Sequence, residues 1–108
     1  MTDPVIIDVH ELKKRQELDP HLCLIDVREP YEWEASRIPN ALHIPKDTLP
    51  ACIESAVPER HKPVYLYCKG GVRSLYAAQY LITMGYQEVY SIDGGIIEWA
   101  MSGYPVEA

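Results

Sequence analysis

The chain has 108 residues, close to the commonest domain size, and its 47% hydrophobic and 24% charged residues are ordinary for a globular protein. We therefore predict one domain over residues 1–108. The formal net charge of −6 argues against nucleic acid or an anionic membrane surface as a partner. No apolar run approaches the roughly 20 residues that a membrane span requires.

The first half of the chain alternates strand and helix patterns. The apolar segment Val5–Val9 predicts a strand, and the charged segment His10–Leu18 predicts a helix. The continuous apolar run Leu22–Ile25 is typical of a strand that is buried on both faces. A brief strand at residues 42–44 and a short helix at about residues 48–56 follow.

The second half continues the same alternation. Val64–Tyr67 predicts a strand, and Leu75–Met84 predicts a helix whose wide apolar face packs under the sheet. Val89–Ile92 predicts the last strand, and Asp93 is the expected N-cap of a final helix. Alternating elements of this kind indicate an α/β fold with a doubly wound, mainly parallel five-stranded sheet and helices on both faces.

The fourth predicted strand runs directly into Cys68 and a glycine-bearing turn. Ligands of parallel sheets bind beyond the carboxyl ends of the strands, which is where this cysteine lies. Converging N–H groups of the turn, made possible by Gly70 and Gly71, and the positive end of the next helix favour a thiolate. Lys69 and Arg73 add two cations. We interpret Cys68 as a nucleophile in an anion-binding cup; the alternative is a buried structural cysteine.

The remaining polar residues suggest no second site. The three cysteines form no Cys-x-x-Cys pair, and residues 1–5 lack the pattern of a secretory signal, so we expect a reducing cytoplasm. The four histidines lack metal-ligand spacing, so we predict neither a metal site nor a cofactor. Trp99 and the glycines Gly94 and Gly95, at the last helix, are interpreted as packing residues.

The loop and its surroundings resemble the rhodanese superfamily over nearly the whole chain. Leu24–Trp33 is similar to the strand, Asp-x-Arg and short helix of that family, and Arg37–Pro45 to its His-Ile-Pro-Gly-Ala-x-x-Ile-Pro segment. Gly94–Trp99 and Gly103–Val106 are similar to its closing segments. Asn40 stands where the family usually has glycine. Because asparagine tolerates a left-handed backbone, we expect that turn to be preserved.

The resemblance implies sulfur chemistry. Six-residue loops such as Cys68–Arg73 belong to the sulfurtransferases of the superfamily, whereas relatives that act on phosphate or arsenate have one residue more. A shorter loop encloses a sulfur atom more closely than a tetrahedral oxyanion. We predict that Cys68 accepts a sulfane sulfur from thiosulfate or a persulfide and passes it to cyanide, a thiol or a sulfur-carrier protein. The predicted substrate-binding residues are Lys69, Gly70, Gly71, Val72 and Arg73.

The sequence allows two roles for several of these residues. Arg73 either braces the loop or holds the oxyanion of the donor. Asp26 and Arg28, at the end of the second strand, either support the site or form a structural ion pair. A persulfide carrier that is loaded by another protein is the main alternative function, and a phosphatase or arsenate reductase is disfavoured by the loop length.

Overall fold

The computed structural model describes residues 3–108; residues 1 and 2, part of the segment considered for a secretory signal, lie outside them. One sheet contains five strands in the order β1-β5-β4-β2-β3, and every pairing is parallel. The strands are β1 (Val5–Ile7), β2 (Cys23–Asp26), β3 (Leu42–His43), β4 (Val64–Tyr67) and β5 (Val89–Ile92). The predicted α/β fold with a parallel five-stranded sheet is thus confirmed.

Helices connect the strands. They are α1 (Val9–Leu18), α2 (Pro30–Ala35), α3 (Leu49–Ala56), α4 (Val72–Thr83) and α5 (Gly95–Met101). A single 3₁₀ turn, Lys46–Thr48, precedes α3. Within residues 3–108 no helix combines the length and apolar character that crossing a membrane requires.

Two apolar layers cover the sheet. One contains residues of α3 and α4, and the other contains residues of α1 and α5. The side chains of β4 alternate between them, with Leu66 in the first layer and Tyr65 and Tyr67 in the second. A strand that is covered on both faces has no polar face, which explains the continuous apolar runs in the sequence.

Three helix starts differ from the prediction. α1 begins at Val9, because the Asp8 side chain accepts the Glu11 N–H at 2.8 Å and caps the helix there. α4 begins at Val72 rather than at Leu75. The N-cap of α5 is Gly94 rather than Asp93; its φ of 82° is left-handed, a conformation that favours glycine.

The turn at Asn40 follows the prediction. Asn40 has a φ of 68°, and it is the one non-glycine residue with a positive φ among residues 3–108. The left-handed backbone that the family usually builds with glycine is therefore preserved.

The strand order places Cys68 at a functional position of the fold. β2 and β4 are neighbours in the middle of the sheet, but the chain continues from β2 to β3 on one side and from β4 to β5 on the other. Such a reversal opens a crevice at the carboxyl ends of the two strands. Asp26 ends β2 and is in register with Tyr67, which precedes Cys68. The predicted site residues therefore meet at this crevice.

Candidate active site

The Cys68 sulfur lies inside the loop that joins β4 to α4. The Gly71 N–H donates to Sγ at 3.1 Å, and the Ser74 N–H donates to it at 3.4 Å. The first N–H groups of a helix have no partner within the helix, and the sulfur takes one of them here. Cys68 is only 1% exposed, so these donors act on it with little competition from water.

The surroundings of Cys68 favour its thiolate. Burial is the largest single influence, and by itself it raises the pKa of the thiol. The N–H and hydroxyl of Ser74 and the N–H groups of Gly71 and Gly70 oppose it, and together they lower the pKa of Cys68 below its ordinary value. The loop thus stabilises the thiolate of Cys68 relative to an ordinary cysteine.

This effect predicts the pH dependence of Cys68 alkylation. In a Cys23→Ser/Cys52→Ser background, iodoacetamide should react rapidly well below pH 8.5, the approximate pKa of an unperturbed cysteine. Since the folded-state pKa is lowered, the rate should fall only when the pH drops through that lower value. The same variant unfolded in guanidinium chloride provides the reference profile. Coincident folded and unfolded profiles would show that the loop donors do not act on the sulfur.

The start of α5 holds the back of the loop. The Ile96 N–H donates to the Cys68 carbonyl at 3.0 Å, and the Ile97 N–H donates to the Lys69 carbonyl at 3.2 Å. A Cβ on Gly95 would lie 2.4 Å from both carbonyl oxygens, so a side chain does not fit there. The helix that the sequence interpretation assigned to packing therefore packs directly against the backbone of the Cys68 loop. The Gly94-Gly95 pair was the signal for a close backbone approach.

Arg73 braces the loop against α2. Its guanidinium forms two hydrogen bonds with Glu32, from Nη1 to Oε1 at 2.7 Å and from Nη2 to Oε2 at 3.0 Å. These bonds are the main reason why the pKa of Glu32 is lowered to about 2. The planar fork of arginine suits this bidentate geometry. Arg73 was expected either to brace the loop or to hold the oxyanion of the donor, and its bonds to Glu32 fit the first of these roles.

Asp26 and Arg28 form a buried ion pair near the loop. Arg28 Nη2 lies 2.7 Å from Asp26 Oδ2, and the two side chains are 5% and 0% exposed. Arg28 Nη2 also donates to the Ser36 carbonyl at 2.6 Å. The pair thus ties the end of β2 to the segment after α2, which matches the structural interpretation of these residues.

A groove of about 380 Å³ flanks the loop between α2 and α5. Lys69 and Arg28 line it together with apolar side chains that include Tyr31 and Ile97. Lys69 is exposed, and among residues 3–108 it forms no ion pair. The groove therefore offers a free cation and an apolar wall to a molecule that approaches the loop.

The other predicted loop residues differ in their exposure. Gly70 is exposed, with no atom within 4 Å of the position that a Cβ would take, and Val72 is 68% exposed. Gly71 has a φ of 114°, a left-handed conformation that favours glycine, and its N–H donates to the sulfur. Ser74 was not predicted. A hydroxyl residue directly after the loop arginine, in the first helical turn, was the signal for it.

Comparison with known protein families matches residues 8–102 to the rhodanese-like domain. Among curated proteins, the tRNA uridine(34) hydroxylase of Pectobacterium carotovorum is 40% identical over 86 residues. These residues make up 76% of this chain but only 24% of that protein. The chain thus spans about a quarter of the length of this curated relative.

Two solved structures share the whole architecture. The rhodanese-like domain of an Anabaena protein is 28% identical, with a TM-score of 0.86, and the match covers 99% of this chain and 80% of that chain. A rhodanese-like domain protein from Staphylococcus aureus is 31% identical, with a TM-score of 0.83 and coverage of 96% and 99%.

Proposed function

The chain belongs to the rhodanese-like domain family, and on that premise we propose that it is a sulfurtransferase that carries a sulfane sulfur as a persulfide on Cys68. One observation carries the proposal. The Cys68 sulfur accepts the N–H groups of Gly71 and Ser74 inside a loop of only six residues, Cys68 to Arg73. Such a cup stabilises a thiolate, and we expect it to stabilise the sulfur atoms of a persulfide in the same way.

The reaction proceeds in two displacements. The Cys68 thiolate attacks the outer sulfur of thiosulfate, a bond forms between the two sulfurs, and the bond to the sulfonate breaks. Sulfite leaves with the electron pair of the broken bond. Cyanide or a thiolate then attacks the terminal sulfur of the persulfide, and Cys68 leaves as a thiolate again. Splitting the transfer in this way is what covalent catalysis achieves.

The surrounding residues serve the two steps differently. Lys69, exposed and without an ion pair among the described residues, attracts the anionic donor to the loop mouth. The loop N–H groups stabilise the negative charge that moves between the inner and the terminal sulfur. Arg73, bound to Glu32, keeps the first turn of α4 in place while the sulfur arrives and leaves.

Mass spectrometry of the intact protein tests the proposal. After incubation with thiosulfate we expect a mass gain of one sulfur atom, which cyanide removes and which a Cys68→Ala variant never acquires. If glutathione persulfide loads Cys68 and thiosulfate does not, the persulfide-carrier form of the proposal is the correct one. If neither donor adds sulfur to the folded protein, the proposal is wrong.

The same preparation tests the disfavoured phosphate chemistry. A tetrahedral oxyanion on Cys68 needs more space and more donors than a single sulfur atom. We therefore expect negligible hydrolysis of aryl phosphates. Cys68-dependent phosphatase activity would show that loop length does not distinguish the two chemistries in this chain.

The 40% identity to the Pectobacterium enzyme favours a second candidate function, the hydroxylation of uridine 34 in tRNA. The matched region is about a quarter of that protein, and the net charge of −6 disfavours a phosphate backbone as a partner. Because hydroxylation is a two-electron oxidation that needs an oxidant such as dioxygen, nucleoside analysis of tRNA after incubation with the protein in air distinguishes the two. Hydroxylated uridine that depends on Cys68, without persulfide formation, would replace the first proposal by the second.

A further inference from the structure

Two buried hydroxyl groups form a chain that ends at the Cys68 sulfur. Ser74 Oγ lies 3.6 Å from Cys68 Sγ, and Ser91 Oγ lies 2.9 Å from Ser74 Oγ. Ser74 belongs to the first turn of α4, and Ser91 belongs to β5, the strand beside β4. The two serines are 0% and 2% exposed. A buried hydroxyl without a hydrogen bond destabilises the folded protein, and the contact between the two serines avoids this loss.

The number of protons on these groups determines the direction of each hydrogen bond between Ser91, Ser74 and Cys68. A serine hydroxyl has one proton to donate and two lone pairs to accept with. Ser74 Oγ also lies 3.1 Å from the Gly71 carbonyl oxygen. When Cys68 is a thiol, its S–H can donate to Ser74, and Ser74 can donate to that carbonyl.

The thiolate requires the opposite direction. A thiolate has no proton and only accepts, so the single proton of Ser74 must turn from the Gly71 carbonyl to the sulfur. Ser91 has no hydrogen-bonding partner for its side chain other than Ser74 in the part of the chain that the structure describes. Its proton is therefore available for the oxygen of Ser74 when that hydroxyl turns.

We propose that Ser91 is a positioning residue for the Cys68 thiolate: its hydroxyl donates to Ser74 Oγ and thereby directs the Ser74 proton at the sulfur. A donor that itself accepts a hydrogen bond is polarised and becomes a stronger donor. The inference shares with the proposed function the view that Cys68 is the nucleophile. It does not depend on sulfur being the atom transferred.

Other ionisable groups lie on the elements around the sulfur, and the substitutions below leave all of them in place. They include Lys69 and Arg73 of the loop and α4, Tyr31 and Glu32 of α2, Asp26 and Arg28 at and after the end of β2, Tyr67 of β4, Asp93 after β5, and Glu98 of α5.

The test is the pH profile of Cys68 alkylation by iodoacetamide in the Cys23→Ser/Cys52→Ser background. Ser74→Ala removes a hydrogen bond to a charged group and should move the midpoint of the profile to a pH higher by about 1. Ser91→Ala should move it by about half as much, since it weakens the Ser74 bond without removing it. The double variant should have the same midpoint as Ser74→Ala, because Ser91 acts through Ser74.

Two controls distinguish an effect of the Ser91 hydroxyl on the Ser74 proton from an effect of lost side-chain packing. Val89→Ala removes buried volume from the same face of β5 and should leave the midpoint unchanged, although it destabilises the fold. Ser91→Thr and Ser91→Val have nearly the same volume, and only the first keeps a hydroxyl. The threonine variant should therefore have the lower midpoint, and this pair decides the question if Ser91→Ala does not fold.

An unchanged midpoint in folded Ser91→Ala, equal midpoints for the threonine and valine variants, or additive changes in the double variant would each overturn the inference. Alkylation needs no sulfur donor. A failure of persulfide formation combined with the expected changes in midpoint would therefore reject the proposed function and leave the role of Ser91 standing.

Discussion

Replacing Cys68 with serine should reduce sulfur transfer from thiosulfate to cyanide to the rate of the uncatalysed reaction. The hydroxyl oxygen does not ionise in this loop and cannot carry a sulfane sulfur, so the covalent intermediate does not form. We expect a loss of at least about a thousandfold, as for other enzymes deprived of their nucleophile. Thiocyanate formation at saturating thiosulfate measures the effect.

The fold of the Cys68→Ser variant should survive, because serine can accept the same N–H groups of Gly71 and Ser74. Circular dichroism and the midpoint of urea unfolding check this. Cys52→Ser and Cys23→Ser serve as matched controls. Cys52 is exposed on α3, and burial raises the pKa of the Cys23 thiol, so neither is expected to be the nucleophile. Substantial turnover by Cys68→Ser would reject the assignment.

Local sequence was sufficient to predict strand β4 and the position of Cys68 in the turn that follows it. Val64–Tyr67 is a short apolar run, and Cys68 with its two glycines follows directly, so all the information lies within one segment. The same holds for β2, whose apolar run reflects burial on both faces. Features of this kind depend on the spacing of neighbouring residues, which a sequence displays.

Contacts between distant segments could not be predicted in the same way. Arg73 binds Glu32 across 41 positions, and Ser74 meets Ser91 across 17. Each contact exists only because the fold brings distant elements together, α2 and α4 in the first case and α4 and β5 in the second. The early start of α4 has a related cause: its N-cap is Gly71, which has no side chain to cap the helix, so the usual sequence signal was missing.

A second large effect is expected from Gly95, which has no functional group. A Cβ at this position would lie 2.4 Å from the carbonyl oxygens of Cys68 and Lys69, and backbone cannot move aside as a side chain can. Gly95 also has a φ of 55°, which costs an alanine about 1–2 kcal/mol. Overpacking adds about 1–3 kcal/mol, so Gly95→Ala should lower the free energy of unfolding by roughly 2–5 kcal/mol.

The activity of the Gly95→Ala variant should fall more than its stability alone explains. The new methyl group displaces the peptide groups that follow Cys68 and Lys69, and we expect that the N–H groups of Gly71 and Ser74 then no longer converge on the sulfur. We expect sulfur transfer to fall by about a hundredfold, because small displacements of catalytic groups have effects of this size. The pH midpoint of Cys68 alkylation should rise at the same time, since fewer donors favour the thiolate.

Gly103→Ala is the matched control for Gly95→Ala. Gly103 has a φ of 82°, but no atom lies within 4 Å of the position that a Cβ would take. This variant therefore bears the backbone cost of about 1–2 kcal/mol without the collision, and its sulfur transfer and alkylation profile should match the wild type. Urea unfolding, thiocyanate formation and alkylation are measured on both variants. The contrary result is that Gly95→Ala matches Gly103→Ala in all three measurements. That result would show that the contact between α5 and the loop does not position the sulfur, and that the loop residues alone determine the shape of the cup.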